Sequence, residues 1–535
     1  MVARPLLIVF GLFVAGLVAA GLAPENATAQ EPLRRPNIVV VLIDDLRFDE
    51  LGIFGADVPT PAIDRLAREG VIMTNAFVTT SLCSPSRASL LTGLAMRNHG
   101  VVDNNVPLPE NLTIFPERLQ QAGYRTALIG KWHMGHGADQ RAGFDHWVSF
   151  DGQGNYMPRD LLGRPSMLNV NGREVPQQGY ITDELTDYAV EWLSQGERVQ
   201  PFMLYIGHKG VHAPFTPAQR HRGTLPAEAP DLAGLPTGSE PGTPMWVQNQ
   251  RNSWHGVEFA YHDDVDLAEF RRDYRETLRA IDDSVARLRE TLERLDQLDN
   301  TIIFVTSDNG FLLGEHGLID KRNAYEPSMR VPMIVWGPAH LRASGKLDAL
   351  VANIDLGPTI LDLASAPALD AVDGQSFAPL LRGETAPTRV QLVYEYYWEF
   401  NYPHTPTTFA LRDERFKYIQ YHGVWDTEEL FDLAADPHET RNLVADPAFE
   451  EVLIAMRRKL FDGLAARDGG HGIAFSRKYN QGAVFRREGG STAAEFPERW
   501  SRPINAEDRL EHVFPDGPAK PAMIDLLNRN IADND

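Results

Sequence analysis

From Ile38 to Ile43 the chain reads Ile-Val-Val-Val-Leu-Ile, apolar without a break and rich in β-branched residues, and it ends in Asp44-Asp45. A strand of this composition has no polar side to turn to water, so both faces must be covered, as in a parallel strand inside an α/β sheet. Ligands of such sheets sit outside the carboxyl ends of the strands, where these two acids fall. Thr301 to Ser307 repeats the pattern and ends in Asp308-Asn309-Gly310. Asp44, Asp45, Asp308 and Asn309 together form an oxygen donor set suited to a hard cation, Ca²⁺ or Mg²⁺. Either pair alone reads as a turn or a helix cap. Tyr124 to Ile129 is a further strand, running into Gly130-Lys131-Trp132-His133, and Phe202 to Ile206 another, running into His208-Lys209-Gly210-Val211-His212. A lone Lys or His in a loop is ordinarily solvated, but these follow apolar strands on the edge expected for the acids.

Helices alternate with the strands. Tyr274, Leu278, Ile281, Val285, Leu288, Leu292 and Leu295 recur by fours and threes, a packing stripe on a helix from Tyr274 to Leu295. Residues 213–260 are rich in Pro and Gly without a clear period, and so long a loop reads as the rim of a pocket. Arg330 to Val335 begins another strand of the large unit, which spans 36–385. A second unit begins near Ala386. Leu392 to Phe400 and Phe409 to Tyr421 alternate like antiparallel strands, with Asp413-Glu414-Arg415 as a turn, and a helix follows over Phe449 to Leu464. The expected fold is α/β: a mixed, mostly parallel sheet flanked by helices, with a smaller antiparallel-sheet subdomain at 386–466. Periodicity fades in the tail, 467–535.

The 535 residues contain one cysteine, Cys83, in Ser81-Leu82-Cys83-Ser84-Pro85-Ser86-Arg87. Residues 1–29 read as an export signal. Arg4 is its basic start, Leu6 to Leu22 its apolar stretch, and Ala27-Thr28-Ala29 its cleavage site. The stretch is long for a signal, so a retained anchor is the other reading. The expected location is periplasmic or secreted, with no stable membrane association after cleavage. A single thiol in an exported chain forms no internal disulfide, so Cys83 is either an incidental buried residue or a reagent. The net charge of −22 argues against nucleic-acid binding, which needs a basic footprint.

Cys83-Ser84-Pro85-Ser86-Arg87, followed by Ala88-Ser89-Leu90-Leu91-Thr92-Gly93, resembles the signature of the type I sulfatases of the alkaline phosphatase superfamily. The Asp44-Asp45 strand end, Gly130-Lys131-Trp132-His133, Val211-His212-Ala213-Pro214, Asp308-Asn309-Gly310 and the His316-Gly317 to Lys321 block resemble that family's other landmarks, in family order over residues 36–445. The resemblance implies that Cys83 is oxidised to formylglycine by a maturation enzyme and that its hydrate is the nucleophile. It implies one metal, Ca²⁺ with Mg²⁺ as the alternative, on Asp44, Asp45, Asp308, Asn309 and the residue at Cys83. Arg87 would hold the formylglycine hydroxyls, and Lys131 and Lys321 the sulfate oxygens. His133 would be the base and His212 would assist the leaving group. A polar family position after His133 is unplaced, with Ser149 as its candidate.

Asn98-His99-Gly100-Val101-Val102-Asp103-Asn104-Asn105 resembles the corresponding stretch of the N-acetylglucosamine-6-sulfatases and reads equally as a capped turn. Tyr396 to His404 combines aromatics with polar tips, as a sugar-binding rim or as an ordinary strand end. The substrate candidates are therefore His99, His316, Trp398 and His404, and the expected partner is a sulfated carbohydrate. Two alternatives remain on the same fold: a phosphodiesterase or phosphonate monoester hydrolase, and a silent binding protein with Cys83 unconverted.

Overall fold

The computed structural model describes residues 34–482 apart from 161, 196–199, 229–230, 232, 251–265, 400–401, 403–404, 423–426, 468–473 and 477–480. The expected export signal, His404 and nearly all of the tail lie outside the described residues. Among those described, no helix is long and apolar enough to cross a membrane.

Ten strands form the large sheet: β1 (Asn37–Ile43), β2 (Val71–Phe77), β3 (Arg125–Gly130), β4 (His146–Ser149), β5 (Met167–Val170), β6 (Arg173–Pro176), β7 (Phe202–Gly207), β8 (Thr301–Ser307), β9 (Met333–Trp336) and β10 (Gly345–Ala352). Their order is β10-β2-β9-β8-β1-β7-β3-β4-β5-β6. The central block from β8 to β4 is parallel, while β9 runs antiparallel to β8 and β2. β1 is buried at every position because both faces are covered. Val39, Val41 and Ile43 pack with the helices Pro61–Glu69, Ile181–Ser194 and Leu267–Arg294. Ile38, Val40 and Leu42 pack with Cys83–Thr92, Phe115–Gln121 and Leu356–Leu363.

The register brings the chemistry to one edge. Ile43 pairs with Ser307, Leu42 with Gly207, and Gly207 with Gly130, so the residues that follow emerge side by side. Gly130 is required there: at φ +115° a Cβ would meet the Gly207 carbonyl at 2.0 Å. That approach lets the Lys131 N–H donate to the same carbonyl at 2.8 Å.

The long helix begins earlier than its apolar stripe predicts. Asp266 caps it, accepting from the Ala268 N–H at 2.9 Å, and its added first turns buries Phe270. Polar side chains widen the buried face, since Asp282 accepts from the Ile63 and Ala62 N–H groups at 2.8 and 3.1 Å and so caps the neighbouring helix. The aperiodic stretch after residue 213 contains a short helix, Met245–Gln250, whose Trp246 packs on Tyr421 at 4.9 Å.

The second sheet is antiparallel, in the order β11 (Gln391–Tyr396), β12 (Thr407–Asp413), β13 (Phe416–His422) and β14 (Glu428–Asp432). Phe409 to Tyr421 is thus a hairpin turning at Glu414-Arg415. β11 stops at Tyr396, short of the predicted Phe400; Glu399 is instead held by the Tyr396 hydroxyl and Arg322. One face of this sheet shares a core with Phe77, Leu82, Leu312 and Tyr325 of the large unit. The other packs on the helix Glu450–Arg467.

Candidate functional site

Cys83 is the first residue of a fully buried helix that ends at Thr92, where Gly93 supplies the left-handed cap. Serines fasten this helix. The Ser84 hydroxyl donates to the His133 carbonyl and the Ser86 hydroxyl to that of Asp308, while the Ser84 N–H donates to Asn104 Oδ1 at 3.0 Å. The Cys83 sulfur accepts from Lys321 Nζ at 3.0 Å and lies 3.6 Å from Asp44 Oδ1. Asp44, Cys83 and Asp308 present ligand atoms within 4.8 Å of one another.

Three cations surround three carboxylates. Lys131 donates to Asp44, Lys321 to both oxygens of Asp45 at 2.7 and 2.8 Å, and Arg87 Nε to Asp308 at 2.8 Å. Arg87 also donates to the Lys131 carbonyl at 2.7 Å, tying the helix Cys83–Thr92 to the β3 end. All six side chains are buried. Asp45 and His133 hold φ of 60° and 52°, a conformation costly for residues with a Cβ and concentrated at functional sites. Tyr274 secures the first by donating to the Asp45 carbonyl at 2.9 Å while accepting from the Arg47 N–H.

Burial opposes ionisation of Asp44, yet Lys131, His212, Arg87 and Lys321 hold its carboxyl well below the usual range. Asp308 goes the other way: burial and the Asp44 charge push it up to about 7. Burial also pushes the Cys83 thiol up to about 12. His133 is held well below the ordinary imidazole range by burial and Lys131, and His212 by burial and Lys321. The donor set fits a hard divalent cation. It is all oxygen apart from Cys83, and Asn309 adds a buried Oδ1 that no donor satisfies while its Nδ2 donates to Asp45 at 2.7 Å.

His212 faces the centre from the β7 side, with Nε2 3.7 Å from Asp45 Oδ2. His133 lies beside Lys131, its Nδ1 buried without a partner. Ser149 ends β4 with its hydroxyl unpartnered; Gln153, four residues on, accepts from Lys131 Nζ at 2.5 Å. Gln153 lies in the loop after β4 and belongs to no spaced motif, so the unplaced polar position after His133 was the one signal that could have pointed to it. His99 is internal: Nδ1 accepts from the Val101 N–H at 3.0 Å, Nε2 lies 3.1 Å from the Ser89 hydroxyl, and burial lowers it to about 3. It braces the turn after the helix Cys83–Thr92. His316 is buried and stacked on Tyr325 at 3.5 Å, lining a cavity of about 300 Å³ with Arg47, Glu326, Arg330 and Arg412. Trp398 is 36% exposed beyond β11, and His404 lies outside the described residues.

The family profile described as Sulfatase matches residues 36–366, and that of the N-sulphoglucosamine sulphohydrolase C-terminal region matches 314–465. The chain is 31% identical over 488 residues to an N-acetylglucosamine-6-O-sulfatase of Bacteroides thetaiotaomicron, covering 80% of this chain and 86% of that one. It is 33% identical over 408 residues to the human N-acetylglucosamine-6-sulfatase, covering 71% and 70%. A solved structure of a protein with its substrate D-glucosamine-2-N,6-O-disulfate superposes with a TM-score of 0.73 at 29% identity, over 82% of this chain and 99% of that one. With a profile match over more than half its length, placed on the strands that carry this centre, the chain belongs to the sulfatase family.

Proposed function

We propose that this sulfatase removes the 6-O-sulfate of N-acetylglucosamine in a sulfated glycan, using Cys83 after its conversion to formylglycine. The observation that carries the reading is the convergence of Cys83, Lys321, Asp44 and Asp308 at one sheet edge, with Lys131, His133 and His212 around them. The glycan assignment is supported by the relatives named for that sugar sulfate.

A sulfate monoester repels nucleophiles, so its hydrolysis needs charge neutralisation, a strong nucleophile and a proton for the leaving alcohol. Formylglycine supplies, as its hydrate, an oxygen nucleophile with a second hydroxyl that lets the aldehyde re-form. A hard divalent cation, which we assign as Ca²⁺, supplies positive charge when bound by Asp44, Asp45, Asp308, Asn309 and the residue at position 83. Lys131 and Lys321 bind the non-reacting sulfate oxygens as point charges. Arg87 holds Asp308 and fixes the nucleophile helix. His133, kept neutral by burial and Lys131, accepts the proton of the second hydroxyl. His212 gives a proton to the leaving oxygen, and the anionic ester supplies the charge that favours its imidazolium. Burial of these groups keeps bulk water from competing.

The reading also requires a maturation enzyme, and residues 1–29 acting as a signal that takes the chain to the periplasm or outside the cell. Intact-mass analysis of the purified protein should find Cys83 converted to the lighter aldehyde residue. The converted protein should release sulfate from 6-O-sulfated N-acetylglucosamine. Cleavage of a phosphonate monoester in preference to that sugar sulfate would overturn the assignment.

A further inference from the structure

His212 is not held by its own strand. It lies in the loop after β7, where its N–H donates to the Lys209 carbonyl at 3.0 Å, and side chains from elsewhere hold its carbonyl and the segment that follows. The Tyr156 hydroxyl, buried, donates to the His212 carbonyl at 2.7 Å. The Tyr156 ring stacks on Tyr180 with centroids 5.8 Å apart and planes 20° apart. Tyr180 in turn donates to the Thr216 carbonyl at 2.8 Å, so the two stacked rings hold both ends of the segment from His212 to Thr216. Tyr156 is itself anchored, since its carbonyl accepts from the Ile181 N–H at 2.9 Å and from Gln177 Nε2 at 3.1 Å. Lys209 Nζ lies 4.7 Å from the ring centroid, a cation–π contact.

The imidazole completes the arrangement. His212 Nδ1 is 2.7 Å from the Ala213 carbonyl, which can only accept, so Nδ1 carries a proton. Nε2 is thereby the atom presented towards Asp45 and the reacting centre. A rotation of the His212 main chain would swing Nε2 off its line, and the bond from Tyr156 resists that rotation.

We propose that Tyr156 is a positioning residue for leaving-group departure, holding His212 so that Nε2 meets the leaving oxygen. The proposal rests on the sulfatase reading and on the role given there to His212. As the bond from sulfur to the leaving oxygen breaks, its electron pair stays on that oxygen, which takes the Nε2 proton of the His212 imidazolium and leaves the neutral ring protonated at Nδ1. The sulfuryl group passes to the oxyanion of the hydrate at position 83, which forms the new sulfur–oxygen bond. A displaced Nε2 delivers that proton poorly, and the deficit grows with the basicity of the leaving oxygen.

The test uses mature, metal-loaded enzyme, with conversion at position 83 verified by mass, and a series of substituted phenyl sulfates of rising leaving-group basicity. Tyr156→Phe keeps the ring and its stack and removes the hydroxyl; a melting curve checks that it folds. Its kcat/KM should fall about tenfold on phenyl sulfate and much less on 4-nitrophenyl sulfate, a part of the usual general-acid contribution. His212→Ala should show the same trend more steeply, and adding Tyr156→Phe to it should cost nothing further, because both changes remove one function. Tyr180→Phe, which frees only the Thr216 end, serves as the folding control. A loss that is flat across the series, or fully additive with His212→Ala, overturns the proposal while leaving the sulfatase reading standing. A flat series for His212→Ala itself overturns the role of His212 and the proposal with it.

Discussion

Cys83 lies between Lys321 and Asp44, and burial pushes its thiol up to about 12. An unconverted thiol there stays protonated at neutral pH and is a weak nucleophile. Specific activity should therefore track the converted fraction measured by intact mass, and Cys83→Ala should be inactive yet melt normally. Activity in an unconverted sample would refute the mechanism. The role proposed for His133 makes a separate prediction, because that base would act only after the leaving group has gone. His133→Ala should release a burst of about one equivalent of phenol from an aryl sulfate and then stall. Steady turnover without a burst would mean the proton goes elsewhere.

At the scale of elements, the site is carried by strand ends and one helix start whose positions are fixed by packing. Leu278 of the helix Leu267–Arg294 is fully buried, four residues from the Tyr274 that holds the Asp45 carbonyl. Leu278→Ala should cost about 3 kcal/mol, a cavity cost typical of such a site, read from denaturant unfolding. The residues proposed to hold the cation come from the loops after β1 and β8 and from the start of the helix Cys83–Thr92, so metal should couple to stability as well as to rate. Chelation should lower the melting temperature, and Ca²⁺ at a hundredfold excess over its dissociation constant should restore about 2.7 kcal/mol. Asn309→Ala should weaken that restoration, and an unchanged melt on chelation would argue against the site.

Across the whole molecule, the two sheets meet at a buried polar cluster. Glu429 accepts from Tyr325 and Tyr421, and Lys417 pairs with Glu326 and Glu439. Burial pushes Glu429 up to about 8 and Glu439 up to about 7. A carboxyl with a raised folded pKa stabilises the fold fully below its unfolded pKa. That contribution is lost as pH rises, because the unfolded chain ionises first. Stability from this cluster should thus decline between about pH 4.5 and pH 8. Glu429→Gln removes one proton-linked group, so its melting temperature relative to the native protein should rise over that window. A difference independent of pH would show that Glu429 titrates normally.

The strands were legible in the sequence because β1 and β8 cannot be anything but doubly covered, and their acids fall where such sheets bind ligands. Cys83, Arg87, Lys131, His133, His212 and Lys321 were legible because each follows a strand end or a motif whose spacing survives in the linear chain. Gln153 and Tyr156 were not, for their partners Lys131 and His212 are distant in sequence and meet them only when a loop with no period folds across the sheet edge. His99 came from the Asn98 to Asn105 resemblance and His316 from the block leading to Lys321; their contacts, with Val101 and Ser89 for the one and with Tyr325 for the other, were not legible in either motif. The sequence by itself determined the periodicities, and hence the sheet and the side chains at its edge. Only the tertiary structure decided which polar groups face one another, since hydrogen bonds and burial depend on distances between segments that no local pattern encodes.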